Sequence, residues 1–374
     1  MAFRSNGSLA PRDARLIRPT KIRLEASSAC QLSCPACPRA WGAAEPVIGT
    51  GHLRFADFKR LIENNPGIEQ IELSNYGEIF LNPELIEILE FAHRRGVALT
   101  ADNGTNLNTV RPEVLEGLVK YGFRRLSCSI DGATAETYSK YRVGGDFHAV
   151  LENLRTINAW KREYRSPYPF LSWQFVVFSH NRHEVQAAKG LAERLEMRFV
   201  AKLRWSEDGP GAELESRRAF RERHGVEYTR GICHQLWVNL QINWDGRMLG
   251  CSRNFWGEFG GNAFADGILA ASNGERIEYA RGMLLGRNPP REDVPCSTCG
   301  QYRSLSRSGR WLIPSEIGLP RRALLWAYRQ RLGKPAVFFA LAILARAAEK
   351  VQAVRIGVRL QLACRGHMGR RMLW

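Results

Sequence analysis

Two hydrophobic periods alternate along the chain from about residue 21 to about residue 203. Apolar residues recur at helical spacing over residues 55–64, 83–95, 112–121, 147–160 and 183–195. Short apolar runs typical of strands precede Cys30 and occupy residues 69–74, 97–101, 125–130, 171–178 and 198–203. Strands that alternate with helices form a parallel sheet, so this part predicts an α/β fold of about six β/α units. A closed eight-fold barrel needs more units, and we therefore expect a partial (β/α)6 TIM-like barrel.

The pattern changes after Leu203. The polar segment WSEDGPGAELESRRAFRERHG predicts a linker. The alternating segment that follows, GICHQLWVNLQINWDGRMLGCSRN, predicts a β-hairpin with its turn at Asp245-Gly246. These changes divide the chain into an N-terminal extension (1–20), an α/β core (21–205), a small domain (206–303) and a basic helical extension (304–374).

The composition is that of a folded globular protein. With 374 residues, of which 44% are hydrophobic, the chain can bury a sizeable core, which excludes fibrous and disordered classes. No stretch is long and uncharged enough to span a membrane, and the first residues contain arginines but no apolar core of a signal peptide. We therefore expect a cytoplasmic protein.

The formal net charge of +17 is concentrated at the C-terminal end. Residues 321–374 hold 12 Lys and Arg against one acidic residue, Glu349, a net charge of +11. Apolar residues accompany these charges at helical spacing, which most often means that a helix docks on the protein's own core. Binding of an acidic or phosphorylated substrate is the second interpretation, and contact with an anionic membrane surface is the third. Nucleic acid is a weaker expectation, because the tail lacks interleaved aromatics and a recognition-helix signature.

The cysteines indicate metal chemistry. They stand at positions 30, 34, 37, 128, 233, 251, 296, 299 and 364, and the odd count and close C-x-x-C pairs favour reduced thiols over disulfides. Cys30, Cys34 and Cys37 form a C-x3-C-x2-C loop directly after a predicted strand, where barrel enzymes place their chemistry. Three thiolates on a four-iron four-sulfur cluster leave one iron open to a small molecule. Zinc with a distant fourth ligand, or a loop without metal, is the alternative.

Four segments, in order, resemble the radical S-adenosylmethionine (radical SAM) superfamily. They are KIRLEASSACQLSCPACP, IEQIELSNYGEIFLNPELIEIL, RRLSCSIDGATAETYSKYR and WQFVVFSHNRHEV, which look like the family's first strand with its cluster loop, its second strand with the GE(P) turn, and its fourth and fifth strands. The resemblance implies a SAM-binding 4Fe-4S cluster on Cys30, Cys34 and Cys37. One position departs from the pattern: Ala36 stands where many members carry an aromatic residue, so this residue is not expected to pack on adenine.

The resemblance also implies the contacts to SAM. Glu78 would meet the methionine ammonium, and Arg142 would pair with the methionine carboxylate. Ser129 and Asp131, at a strand end, would meet the ribose. These pairings satisfy opposite charges and hydroxyl groups. Taken one at a time, the same residues also suit a helix entry, a turn and a surface arginine.

A second cysteine set lies in the small domain. Cys233 and Cys251 stand at the two ends of the predicted hairpin, and Cys296 and Cys299 follow in a C-x2-C turn. Four such thiolates suit zinc or an iron-sulfur cluster. The spacing resembles the twitch form of the SPASM extension, and in particular the twitch-type dehydrogenase acting on an aminocyclitol in butirosin biosynthesis. This resemblance implies a second, auxiliary 4Fe-4S cluster.

The expected activity follows from this resemblance. A radical SAM enzyme cleaves SAM reductively to a 5′-deoxyadenosyl radical, which abstracts hydrogen from a substrate C–H bond. We expect oxidation of an (amino)sugar or cyclitol alcohol, with the auxiliary cluster as electron acceptor and flavodoxin or ferredoxin as electron donor. Epimerisation and maturation of a ribosomal peptide are the alternatives within this class. A non-catalytic metal protein that binds nucleic acid is the alternative from another class, and no general base is evident.

Overall fold

The computed structural model describes residues 16–202 and 233–313, and Ile317. Its eight strands are β1 (Lys21–Leu24), β2 (Gln70–Glu72), β3 (Ala98–Thr105), β4 (Arg125–Ser129), β5 (Phe170–Val176), β6 (Arg198–Lys202), β7 (Gln241–Ile242) and β8 (Met248–Gly250). They form one sheet in the order β6-β5-β4-β3-β2-β1-β7-β8. Strands β1 to β6 run parallel, β7 is parallel to β1, and β8 is antiparallel to β7.

The α-helices of the described residues follow the predicted alternation. They are α1 (Glu45–Ile48), α2 (Phe55–Asn64), α3 (Leu85–Arg94), α4 (Pro112–Lys120), α5 (Ala135–Tyr141), α6 (Phe147–Glu163), α7 (Val185–Arg194), α8 (Gln235–Val238), α9 (Ile268–Ser272), α10 (Glu275–Leu284) and α11 (Gly300–Ser308). Short 3-10 helices occupy Ile79–Leu81, Arg182–Glu184 and Pro295–Thr298. The described strands β6 and β8 are the two edges of the sheet, so the barrel is open, and the expectation of an α/β, partial TIM-like barrel is confirmed.

Local sequence explains why these helices begin and pack where they do. The carboxylate of Asp146 accepts hydrogen bonds from the N–H groups of His148 and Ala149 and thereby caps the start of α6. Pro112 opens α4 at a position that needs no donor. The apolar face of α2 is buried in the core cluster that also holds the β1 and β2 side chains. Because β1 to β6 run parallel, the loops that follow these strands leave from the same edge of the sheet.

The predicted hairpin is present, with Asp245-Gly246 in the turn between β7 and β8. Its first strand extends the core sheet, because the Arg23 N–H donates to the carbonyl of Leu240 at 2.8 Å and the Glu25 N–H donates to the carbonyl of Ile242 at 3.0 Å. The segment after residue 233 is thus joined by backbone hydrogen bonds to the strand that leads into the three-cysteine loop.

Several expectations fall outside the described residues. These are most of the N-terminal extension, the whole predicted linker, and most of the basic C-terminal extension with Cys364. Within the described part of the chain, no helix has the length and apolar character needed to cross a membrane.

Candidate cofactor and metal site

The loop with Cys30, Cys34 and Cys37 leaves the carboxyl end of β1. Cys34 is buried, and the other two are partly exposed. The Cys37 N–H donates to the Cys34 carbonyl at 2.9 Å, which closes the turn between the last two cysteines. The side-chain amide of Asn106 lies 3.7 Å from the Cys30 sulfur, and Nη1 of Arg142 lies 3.6 Å from the Cys34 sulfur. The loop therefore places two of its sulfurs beside a hydrogen-bonding group from the loop after β3 and a positive group at the end of α5.

The three thiols affect one another electrostatically. Burial, and to a smaller extent the nearby Glu78, Cys34 and Cys37, raise the pKa of Cys30 to about 11. Burial also raises the pKa of Cys34, against the lowering effect of Arg142. Because each thiolate disfavours the next, this loop favours a bound positive centre that stabilises three thiolates together.

Glu78 lies in a turn after β2 that is pressed against the chain entering the cysteine loop. Its N–H donates to the carbonyl of Ala29 at 2.7 Å. Its carboxylate is buried and accepts from the N–H of Asn106 at 2.5 Å and from the N–H of Phe80 at 3.4 Å. Burial raises the pKa of Glu78 to about 7. The side chain thus binds backbone of this turn and of the loop after β3, and contact with SAM stays a prediction.

Asp131 and Arg142 form a buried ion pair after β4. Both Nε and Nη2 of Arg142 approach Oδ2 of Asp131, at 2.7 and 2.6 Å. The other oxygen, Oδ1, accepts from the N–H of Val176 at 2.6 Å. Burial alone lowers the pKa of Arg142, but Asp131 and Cys34 outweigh it and raise that pKa well above its ordinary value. Since both carboxylate oxygens are engaged, Asp131 positions Arg142 here, and its contact with ribose stays a prediction.

Ser129 ends β4 and lies next to Gly104 of β3. A Cβ at Gly104, which has a φ of 125°, would lie 2.3 Å from the Ser129 hydroxyl, so only glycine leaves this hydroxyl its space. The wall beside the cysteine loop is apolar: Ala36 packs in one cluster with Tyr141 and Phe178, whose ring centroids are 4.3 Å apart. Two aromatics from other elements therefore line the region next to Ala36.

The second cysteine set is assembled from three segments. The Gln235 side chain and Ser252 exchange two hydrogen bonds, of 3.0 and 2.7 Å, which tie the chain after Cys233 to the chain after Cys251. The Trp256 indole N–H donates to the Pro295 carbonyl at 3.0 Å, which ties the Cys251 loop to the C-x2-C turn.

These four thiols are close enough to influence one another. Burial is the largest cause that raises the pKa of Cys233, Cys251 and Cys296, and in each case neighbouring cysteines of the set raise it further. Every pair among Cys233, Cys251, Cys296 and Cys299 interacts in this way. Cys128 is fully buried in β4 and is part of the hydrophobic core.

A single metal ion needs closer donors than these. A zinc ion with sulfur bonds of about 2.3 Å holds its sulfurs roughly 4 Å apart. Among residues 16–202 and 233–313, no three His, Cys, Asp or Glu side chains converge closely enough to hold a metal ion.

Sequence reasoning missed two polar residues at the centre of this region. Glu25 follows β1 and is fully buried, and its Oε1 accepts from the N–H groups of Tyr76 and Gly77, each at 2.9 Å. Burial raises the pKa of Glu25 to about 7. Tyr76 lies in the same turn as Glu78 and packs edge-on against Phe255 of the second cysteine region. No signal in the sequence singles out Glu25, because the run that leads into the cysteine loop also holds the charged residues Lys21 and Arg23.

Comparison with known proteins relates the part of the chain around the first cysteine loop to a known family. Residues 24–160 match the model of the Radical SAM superfamily. The chain therefore contains a radical SAM domain, a class that uses a 4Fe-4S cluster and SAM. The donor set described above fits such a cluster, because three thiols share one loop at the carboxyl end of β1.

Individual relatives cover part of the chain. The "AdoMet-dependent heme synthase" of Methanosarcina barkeri is 30% identical over 180 residues, 47% of this chain and 48% of that protein. "Mycofactocin maturase MftC" of Mycobacterium tuberculosis is 27% identical over 144 residues, 38% of this chain and 35% of that protein. The chain thus matches half or less of the length of these curated relatives.

A solved structure shares the fold over a longer stretch. Streptococcus suis SuiB bound to S-adenosylmethionine has a TM-score of 0.56 at 14% sequence identity, covering 76% of this chain and 71% of SuiB. At this identity the comparison shows the fold alone.

Proposed function

We propose that this protein is a radical SAM oxidoreductase that abstracts hydrogen from a substrate C–H bond and passes an electron to an auxiliary cluster. The observation that carries the proposal is the pairing of a three-thiol loop in a radical SAM domain with a second set of four mutually interacting thiols. When bound, the first cluster supplies one electron to SAM, which gives methionine and a 5′-deoxyadenosyl radical.

The residues around the loop position SAM next to the cysteines that bind the cluster. Arg142, fixed by Asp131, offers its guanidinium to the methionine carboxylate next to Cys34. Glu78 and its turn lie on the other side, toward Cys30, and provide the acidic region that favours the methionine ammonium. Ser129 supplies a hydroxyl for the ribose, and Tyr141 and Phe178 supply an apolar wall for the adenine. Fixed geometry of this kind directs the radical to one substrate hydrogen.

The second set supplies the electron acceptor. We assign Cys233, Cys251, Cys296 and Cys299 to an auxiliary 4Fe-4S cluster, since four thiolates from three segments that are joined by hydrogen bonds suit such a cluster. When bound, such a cluster would supply an acceptor for the electron that a substrate radical loses together with a proton, and the substrate would then be oxidised by two electrons. An (amino)sugar or cyclitol alcohol fits this chemistry, because a carbon radical beside a hydroxyl becomes a carbonyl when it loses one electron and one proton.

Peptide modification is the second candidate. Two of the proteins similar to this chain favour it: one is named a mycofactocin maturase, and SuiB has been crystallised with the precursor peptide SuiA. Epimerisation would need a hydrogen donor in place of the electron acceptor. Flavodoxin or ferredoxin is the proposed source of the first electron.

Anaerobic reconstitution tests the proposal. The full chain should bind iron and sulfide for two clusters with little zinc, and under dithionite it should convert SAM to 5′-deoxyadenosine. A zinc-containing protein that leaves SAM intact would contradict the proposal and favour a non-catalytic metal protein.

A further inference from the structure

Two buried oxygens at the junction of the two cysteine sets lack a hydrogen-bond partner. They are Oε2 of Glu25 and the hydroxyl of Tyr76, and neither has a partner among the residues that the structure describes. A buried carboxylate oxygen without a donor costs free energy, so such groups in folded proteins are normally satisfied by protein, water or ligand. The two oxygens therefore mark a place where a donor is expected.

Only one of the two carboxylate oxygens of Glu25 has hydrogen-bond partners among the described residues. Its Oε1 holds the N–H groups of Tyr76 and Gly77, so the carboxylate cannot rotate away without releasing the turn. A Cβ at Gly77 would come within 2.1 Å of the Ser27 carbonyl, which shows how tightly this turn is pressed against the chain after Glu25. The second oxygen, Oε2, is therefore held in place while it lacks a partner.

Tyr76 lies between the two sets of thiols. The groups that raise the pKa of its hydroxyl, after burial itself, are Cys251 of the second set, Glu25, and Cys37 of the first set. Its ring packs against Phe255, which in turn packs against Trp41 of the cysteine loop, with ring centroids 5.9 and 6.4 Å apart. A molecule that reaches the Tyr76 hydroxyl is thus near both sites.

We propose that Glu25 Oε2 and the Tyr76 hydroxyl form a subsite for a ligand's hydrogen-bond donor, an ammonium or a hydroxyl group, between the two cysteine sets. A carboxylate accepts from either group, and a tyrosine hydroxyl can both donate and accept. Two ligands carry such a donor in the proposed function on which this inference rests: SAM through its methionine ammonium, and an amino or hydroxyl substrate.

Four variants of the reconstituted full chain test the subsite. Glu25→Gln keeps an oxygen for the Tyr76 and Gly77 N–H groups but replaces Oε2 by an NH2 group, which cannot accept. Tyr76→Phe removes the hydroxyl and keeps the ring against Phe255. Glu184→Gln is the matched control for the first, because the carboxylate of Glu184 is buried but both its oxygens are bonded, to Ala133, Thr134 and Thr137. Tyr164→Phe is the control for the second, since Tyr164 is exposed and its hydroxyl donates to Glu116.

The first measurement is the dissociation constant of SAM by equilibrium dialysis. The second is the shift in thermal midpoint of the SAM-loaded protein on adding ethanolamine, which carries both donors, with sodium acetate as the salt control. If the donor belongs to SAM, Glu25→Gln weakens SAM binding roughly tenfold or more while both controls stay within twofold. If it belongs to a second ligand, SAM binding stays within twofold, and ethanolamine raises the midpoint of the wild type but not of Glu25→Gln.

Other outcomes overturn the subsite. It is wrong if SAM affinity and the ethanolamine response of both test variants equal those of wild type, or if Glu184→Gln loses as much as Glu25→Gln. Should Glu25→Gln fail to fold, Tyr76→Phe alone decides, with an expected effect in the same direction. Failure of the proposed function is distinguishable, because the wild type itself would then bind neither iron nor SAM.

Discussion

The guanidinium of Arg142 is held against the buried carboxylate of Asp131, with Nη2 2.6 Å from Oδ2, while Nη1 of the same group lies 3.6 Å from the Cys34 sulfur. One arginine therefore joins a strand-end carboxylate to a cysteine more than 100 positions earlier in the chain. This pair fixes where a positive charge meets the cysteine loop.

Arg142→Ala should weaken SAM binding without removing iron. Loss of a charge-assisted contact costs roughly 1.5 to 3 kcal/mol, a rise in dissociation constant of about tenfold or more. The single variant also leaves Asp131 buried and unpaired, so we expect it to be destabilised by about 3 kcal/mol or more. In the double variant Arg142→Ala/Asp131→Asn the stability should largely return while SAM affinity stays low. Full SAM affinity in the double variant would show that Arg142 does not bind SAM.

Replacing Cys30, Cys34 and Cys37 together by alanine should remove one cluster. Iron per chain should fall by about four atoms, and 5′-deoxyadenosine formation under dithionite should be lost. The second thiol set should still bind its iron, because its ligands lie in other segments. Persistent cleavage of SAM by the triple variant would contradict the assignment of this loop.

The variant Cys296→Ala/Cys299→Ala separates electron acceptance from SAM cleavage. It should still form 5′-deoxyadenosine, since the first loop is intact, but it should release no product lighter by two hydrogens. The readout is substrate mass change per SAM consumed, in wild type and in a folded variant shown by iron analysis to lack the second cluster. Two-electron oxidation that survives in this variant would exclude the electron-acceptor role.

Gly77→Ala should disturb the turn that carries Glu78. The added Cβ would lie 2.1 Å from the Ser27 carbonyl, a backbone atom that cannot move aside easily, and we expect a destabilisation of roughly 1 to 3 kcal/mol together with weaker SAM binding. Gly67→Ala is the matched control, because its Cβ would meet no atom within 4 Å. Chemical denaturation of both variants compares them directly, and equal stability would mean that the turn can relax.

Glu25 should give the metal-free protein a characteristic pH dependence. Burial raises its pKa from 4.5 to about 7, so its contribution to stability is present below pH 4.5 and is lost as pH rises through about 7. Glu25→Gln lacks this loss, so between pH 4.5 and pH 8 its stability relative to wild type should rise by roughly 3 kcal/mol.

Glu184→Gln should show the opposite sign. Burial raises the pKa of Glu184, but hydrogen bonds from Ala133, Thr134 and Thr137 outweigh it and leave the pKa lowered. Its contribution is therefore present above the unfolded pKa and lost toward acid. Urea unfolding at several pH values checks both, and parallel curves for Glu25→Gln and wild type would refute the raised pKa.

The sequence by itself determined the order of the elements and which cysteines are the candidate ligands. Hydrophobic periodicity is a local property, and it placed α2, α3, α4, α6 and α7 within a few residues of their bounds. The cysteine spacing and the segments around Glu78, Ser129 and Arg142 were equally local, because each motif lies within one turn or strand end. The predicted hairpin depended on Asp245-Gly246, a turn signal of two residues.

Only the tertiary structure decided which of these pieces meet. The pairing of β7 with β1, across more than 200 residues, brings the second cysteine region beside the first, and no local pattern encodes that register. Nor did the sequence show that the carboxylate of Asp131 accepts hydrogen bonds from Arg142 and Val176, or that the carboxylate of Glu78 accepts from a backbone N–H. Glu25 is the clearest case, because nothing in the local sequence singles it out. Its hydrogen bonds to the N–H groups of Tyr76 and Gly77 appear only once that turn is folded onto it, since burial and hydrogen bonding are properties of the assembled neighbours.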